Sequence, residues 1–187
     1  MMELISKKGL INMISNCGKD EHGKYSGGVA GDQTGKEYAV IPWYNRPWTC
    51  VLRPANTKIG KELAAVAEAA AKNNKIGYDQ SARLTYYNKL KNFKWHPEKI
   101  NVAVETDCSA STCANIIAVG HRLNIDKLKK LPNYLTTSGI KGELKKRGFT
   151  VLTESKYLKS DEYLIPGDIL LKEGSHVAIN LTKGSKA

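Results

Sequence analysis

A cysteine, Cys108, stands in the run Thr106-Asp107-Cys108-Ser109-Ala110-Ser111, directly before a small and apolar stretch, Thr112 to Val119. This order places a thiol in the first turn of a buried helix. Unpaired backbone N–H groups and the positive end of the helix dipole favour a thiolate there. Far downstream, His176 lies in Gly174-Ser175-His176-Val177-Ala178-Ile179, which reads as a strand. Thiol and imidazole together are the nucleophile and general base of covalent amide hydrolysis. The bland alternative for Cys108 is a small core residue. The polar neighbours Asp107, Ser109 and Ser111 weigh against it, and they set Cys108 at the exposed end of its helix. Cys113, five residues on, points to another helix face and belongs to the core.

The other histidines are poorer partners. His22 sits in a Gly-rich loop, His96 precedes Pro97, and His121 follows Gly120 at the far end of the Cys108 helix. A third group must hold the imidazole tautomer. Asn180 shares a strand face with His176 but lies about 13 Å along it, and Asp32 or Gln33 could approach from a loop. These three remain open. The segments Gly31-Asp32-Gln33-Thr34-Gly35 and Trp43-Tyr44-Asn45-Arg46-Pro47-Trp48 form either a substrate cleft or an aromatic clasp over the core. As a cleft, Trp43, Tyr44 and Trp48 would stack on substrate while Gln33 donates to an oxyanion. Asp107 and Ser109 would line the same site.

The elements that must position these groups follow from periodicity. Met2 to Ser15 reads as a short helix and Gly18 to Gly35 as loop. Tyr38 to Trp43 and Thr49 to Arg53 read as strands. Asn56 or Thr57 caps a helix to about Asn73, stopped by Gly77. Asp79 caps a second helix to Leu90. The Cys108 helix runs to Gly120, and Thr137 or Ser138 caps a fourth. Phe149 to Leu152, Asp168 to Leu171 and His176 to Leu181 read as strands, with Pro166-Gly167 and Glu173-Gly174 as turns. Helices first and strands last, with short links, predict an α+β fold.

The 187 residues carry a net charge of +11 and are 41% hydrophobic, which suits one domain with a core and a polyanionic partner nearby. No apolar run reaches membrane-spanning length, and Met1 to Ile14 does not read as a signal peptide. The four cysteines show no Cys-x-x-Cys spacing and the histidines no His-x-x-x-His, which argues against structural zinc; no metal or cofactor is expected.

With Asp107-Cys108-Ser109, Pro166-Gly167-Asp168-Ile169-Leu170 and Ser175-His176-Val177-Ala178-Ile179 together, the chain resembles the NlpC/CHAP papain-like superfamily of peptidoglycan hydrolases. The motifs at 31–35 and 43–48 look like those of endolysin catalytic domains from phages of Gram-positive bacteria. The likeness spans about Gly28 to Leu181. It implies a helix bearing Cys108 packed on an antiparallel sheet bearing His176, in a catalytic domain over residues 1–181. Residues 182–187 would be a tail or the start of a linker. It implies a cysteine endopeptidase cutting an amide of the wall stem peptide, or an N-acetylmuramoyl-L-alanine amidase. The enzyme would be made in the host cytoplasm and act on the wall after release. Peptidoglycan and anionic wall polymers are the expected partners; nucleic acid and membrane insertion are not. A non-catalytic basic module for nucleic acid or wall polymer is the reading from another class, and it leaves the polar setting of Cys108 unexplained.

Overall fold

The computed structural model describes residues 11–187. In chain order the elements are β1 (Met13–Cys17), β2 (Tyr38–Pro42), β3 (Cys50–Arg53), α1 (Thr57–Ala71), β4 (Ile76–Tyr78), α2 (Thr85–Asn92) and a 3-10 turn at Pro97–Lys99. Then come β5 (Val104–Thr106), α3 (Cys108–Arg122), α4 (Asp126–Lys129), α5 (Ile140–Lys146), β6 (Thr150–Leu152), α6 (Ser155–Leu158), β7 (Ile169–Lys172) and β8 (His176–Asn180). The fold is α+β, built on a six-stranded sheet of order β2-β1-β8-β7-β3-β6 in which every pair is antiparallel. A separate parallel pair, β4 and β5, lies beside it.

One face of the sheet is covered by α1 and α3. Their apolar sides bury Leu63, Val66, Ile116 and Ile117 with Leu52, Leu171, Val177 and Ile179. The opposite face carries a smaller cluster of Ile14, Trp48, Val51, Leu164, Leu170 and Ala178. Alternation along each strand divides the side chains between the two clusters. In α1 the Asn56 side chain accepts from Ile59 N at 3.0 Å, capping the start. The Pro166-Gly167-Asp168 turn packs on this helix where a Cβ on Gly60 would lie 2.6 Å from the Pro166 carbonyl. Asp168 is fully buried and accepts a forked pair from Arg53, at 2.9 and 2.7 Å.

Several expectations are corrected. Residues 13–15 lie in β1, not in a helix; the remainder of the helix expected from Met2 falls largely outside the described residues. Extended backbone prevails because β1 pairs with both β2 and β8 while Ile14 and Cys17 are buried. The sheet takes three strands from the N-terminal part, so helices do not simply precede strands. Gly77 does not stop α1, which ends before Lys72; Gly77 sits in β4. Asp79 caps no helix, since its carboxylate accepts from Ser81 N and Gly27 N. Gly139, rather than Thr137 or Ser138, precedes α5. At the C-terminus, residues 182–187 lie along 161–164, with Gly184 N and Lys186 N donating to the Leu164 and Glu162 carbonyls.

Candidate functional site

Cys108 opens α3, as the residue pattern predicts. Asp107 caps the helix by accepting from Ala110 N at 2.7 Å, and its backbone carbonyl accepts from Ser111 N. Arg83 pairs with the Asp107 carboxylate and also donates to Ser109 Oγ at 2.7 Å. Ser111 Oγ and Thr112 Oγ1 donate to the Cys108 carbonyl. Asp107, Ser109 and Ser111 are therefore all buried, contrary to the reasoning that such polar side chains mark an exposed end. Partners inside the protein replace water for each of them. Cys108 itself is only 8% exposed.

That burial overturns the expected thiol acidity. Desolvation and then the Asp107 carboxylate push the Cys108 thiol up to about 11, outweighing the pull of the Val177 and Ser109 backbone N–H groups and of Arg83. Val177 is the residue after His176, so the thiol lies against the backbone at the start of β8.

His176 begins β8. Its Nε2 meets Asn16 Oδ1 at 2.8 Å. An amide oxygen only accepts, so Nε2 carries the hydrogen and Nδ1 is left as the ring's acceptor. Burial, and then the Arg46 cation, push this imidazole down to about 4, which keeps it neutral around pH 7. Trp48 stacks on it with ring centroids 6.2 Å apart, and Tyr44 packs against Trp48 at 5.9 Å. Pairing between β1 and β8 stops at Ser15↔Ile179. Continuing that register puts Asn16 opposite Ala178, on the face that carries His176.

Asn16 was not among the residues expected to orient the imidazole. Asn180 is fully buried and bonded to the Ile165 and Thr182 carbonyls and to Asn12. Asp32 accepts from Thr34 N and Lys36 N within its own loop, and Gln33 Nε2 donates to the Ala30 carbonyl. The structure does not bring these three to His176. It does bring Trp48 and Asn16 to it, with Tyr44 against both of those, and Asp107 and Ser109 to Cys108. Trp43 packs against the cluster under Trp48. The sequence signal for Asn16 is slight: a polar residue on the same strand face as Ile14.

The thiol, a neutral imidazole and a polar orienter are the parts of nucleophilic amide hydrolysis, but no hydrogen bond joins Cys108 to His176 among the described residues. Cys108 packs with Val177 in the cluster under α3, whereas His176 stacks on Trp48, which belongs to the cluster on the other face of the sheet. Among the described residues no group of three or more His, Cys, Asp or Glu side chains is arranged to hold a metal, and no helix is long and apolar enough to cross a membrane. Compared with protein families, residues 14–187 match the model of the endolysin-like domain. The chain belongs to that family. Membership indicates a phage-type lytic function with the bacterial cell wall as substrate. No curated protein and no solved structure matches the chain.

Proposed function

We propose that this endolysin-like domain is a cysteine hydrolase of papain-like plan that cuts an amide bond of the wall stem peptide. The observation that carries the reading is the 2.8 Å bond from His176 Nε2 to Asn16 Oδ1, on a strand whose next backbone N–H favours the Cys108 thiolate. Thiol and imidazole are both neutral at rest, so the proton moves as the bond forms. The reaction requires the imidazole to reach Sγ: His176 Nδ1 then takes the Sγ proton while Sγ attacks the amide carbon. The Cys108 amide, outside the bonds the Asp107 cap makes, donates to the oxyanion in this reading. His176 then protonates the leaving amine, and water hydrolyses the thioester with His176 again as base.

The basic surface suits a wall carrying anionic polymers, and the enzyme reaches that wall after release from the host cytoplasm. Endopeptidase and N-acetylmuramoyl-L-alanine amidase use the same chemistry, and mass spectrometry of released fragments tells them apart. Cys108→Ala should abolish lysis of Gram-positive walls while thermal unfolding stays near that of the wild type. Undiminished lysis by this variant would overturn the mechanism. Salt-sensitive binding of nucleic acid or wall polymer by both proteins, without turnover, would instead favour the binding-module reading.

A further inference from the structure

The loop from Trp43 to Trp48 holds three nitrogen donors that are buried and have no acceptor among the described residues: Trp43 Nε1, Arg46 Nε and Trp48 Nε1. Buried donors without acceptors are uncommon in folded proteins, and each costs roughly 1–3 kcal/mol. Arg46 lies over the Trp48 ring, its guanidinium carbon 5.9 Å from the centroid. Its side chain makes one hydrogen bond among the described residues, from Nη2 to Ser175 Oγ at 3.1 Å. No carboxylate among the described residues pairs with it. A planar fork held on an aromatic face, beside the strand that carries His176, is a ready partner for a carboxylate.

Arg46 and Trp48 also line an open cleft of about 550 Å³, together with Asn45, Thr153, Ser155 and Lys159. Two cations and several neutral hydrogen-bonding groups line it, and no carboxylate does. The nearby Glu154 pairs with Lys156 instead. The cleft shares Trp48 with the imidazole, since that ring stacks on His176. A molecule seated there is one aromatic ring, that of Trp48, away from the imidazole.

We propose that this cleft is a carboxylate subsite, in which Arg46 and Lys159 hold a free carboxylate of the same wall peptide whose amide is cut. The inference rests on the reading of the domain as a wall-peptide hydrolase. It adds a residue that sets specificity: the carboxylate's charge meets the two cations that line the cleft, Arg46 and Lys159. A stem peptide with that carboxylate converted to a carboxamide loses the ionic part of the contact.

The test is calorimetric binding to the Cys108→Ala protein of two wall stem peptides, one with free carboxylates and one with carboxamides. The free acid should bind about tenfold more tightly. Arg46→Ala in the same background should bring the ratio close to one, Lys159→Ala should lower it less, and Arg46→Lys should keep part of it. Equal binding of the two peptides by a folded protein overturns the subsite. So does an unchanged ratio in both Arg46→Lys and Lys159→Ala, which keeps the test decisive if Arg46→Ala fails to fold. Preference for a poly(glycerol phosphate) chain with no discrimination between the peptides also overturns it, in favour of a phosphate polymer. Discrimination without turnover by the wild type would remove the proposed reaction and leave the subsite standing. In an active enzyme, Arg46→Ala should also move the acidic limb of the rate profile to higher pH, because the cation that disfavours imidazolium is gone.

Discussion

Residues 18–37 and residues 43–48 leave β2 at its two ends, and each leaves three buried side-chain atoms without a partner among the described residues. The atoms are of opposite kinds: carboxylate oxygens of Asp20, Glu21 and Asp32 in the first loop and nitrogen donors in the second. The first loop is rich in acceptors and closes on itself. Asp20 accepts from His22 N and Lys24 N, Glu21 from Val29 N, Asp32 from Thr34 N and Lys36 N, and Glu37 from Gln33 N. It is then fastened to β4 by Tyr78 N donating to Glu37 Oε2 at 2.9 Å. The second loop is rich in donors and aromatic rings, and three of its donors lack acceptors. A segment that satisfies its own backbone is a structural clamp. A segment whose arginine lines an open cleft that holds no carboxylate is suited to a ligand that brings one. The difference separates what holds the site from what reads the substrate.

The clamp has one weak point. Glu105 lies across from Gly77 in the β4–β5 pair, and neither of its carboxylate oxygens has a partner among the described residues. Burial, and then the neighbouring Glu37 and Asp79, push its carboxyl up to about 8. The folded protein therefore favours the neutral acid. This contribution is complete below the unfolded carboxyl pKa and is lost as pH rises through about 8. Glu105→Gln, which stays neutral, should gain roughly 3–5 kcal/mol over the wild type at pH 9 and little at pH 4. Urea unfolding at the two pH values measures it, and a gain independent of pH would place the strain elsewhere. His176 acts in the opposite sense: its neutral form supports the fold above the unfolded imidazole pKa, and that support fades as pH falls towards about 4.

A smaller break of the same clamp is steric. A Cβ on Gly77 would collide with the Gly31 carbonyl and lie 2.7 Å from Glu37 Oε2. Gly77→Ala should cost about 2 kcal/mol through displacement of the acidic loop, read as a lower urea midpoint. The Trp43–Trp48 loop should keep its peptide discrimination in the folded fraction, because it does not touch Gly77.

Much of the scaffold was legible from local pattern. The Asn56 cap and the apolar period of α1, the small-residue run of α3 and the Glu173-Gly174 hairpin all lie within one element or its turn. What escaped depends on long-range pairing. Met13 to Cys17 is too short to declare itself a strand until β8 binds it. β4 and β5 are three residues each and are fixed by each other. The candidate site divides the same way. Cys108 and His176 carry local signals, a capped helix start and a polar residue opening an apolar strand. Asn16 reaches His176 across 160 positions of sequence through the β1–β8 register, which no local window contains. The thiol acidity was misjudged because the helix start is visible in sequence whereas the burial that outweighs it is not.

The finest comparison concerns the indole N–H of Trp48. Trp48→Phe keeps an aromatic ring against His176 and removes a donor that has no partner among the described residues. Losing a paired buried hydrogen bond costs about 1 kcal/mol or more, but removing an unpaired donor returns part of the packing loss. The expected net destabilisation by urea unfolding is therefore about 1 kcal/mol or less. Removing a polar group from the clamp loop has the opposite logic: Asp32 Oδ1 accepts two backbone N–H groups, so deleting its carboxylate strands both. If Trp48→Phe were to cost about 3 kcal/mol, its N–H would have an acceptor in the free protein. The donor-rich loop would then be a clamp like its neighbour.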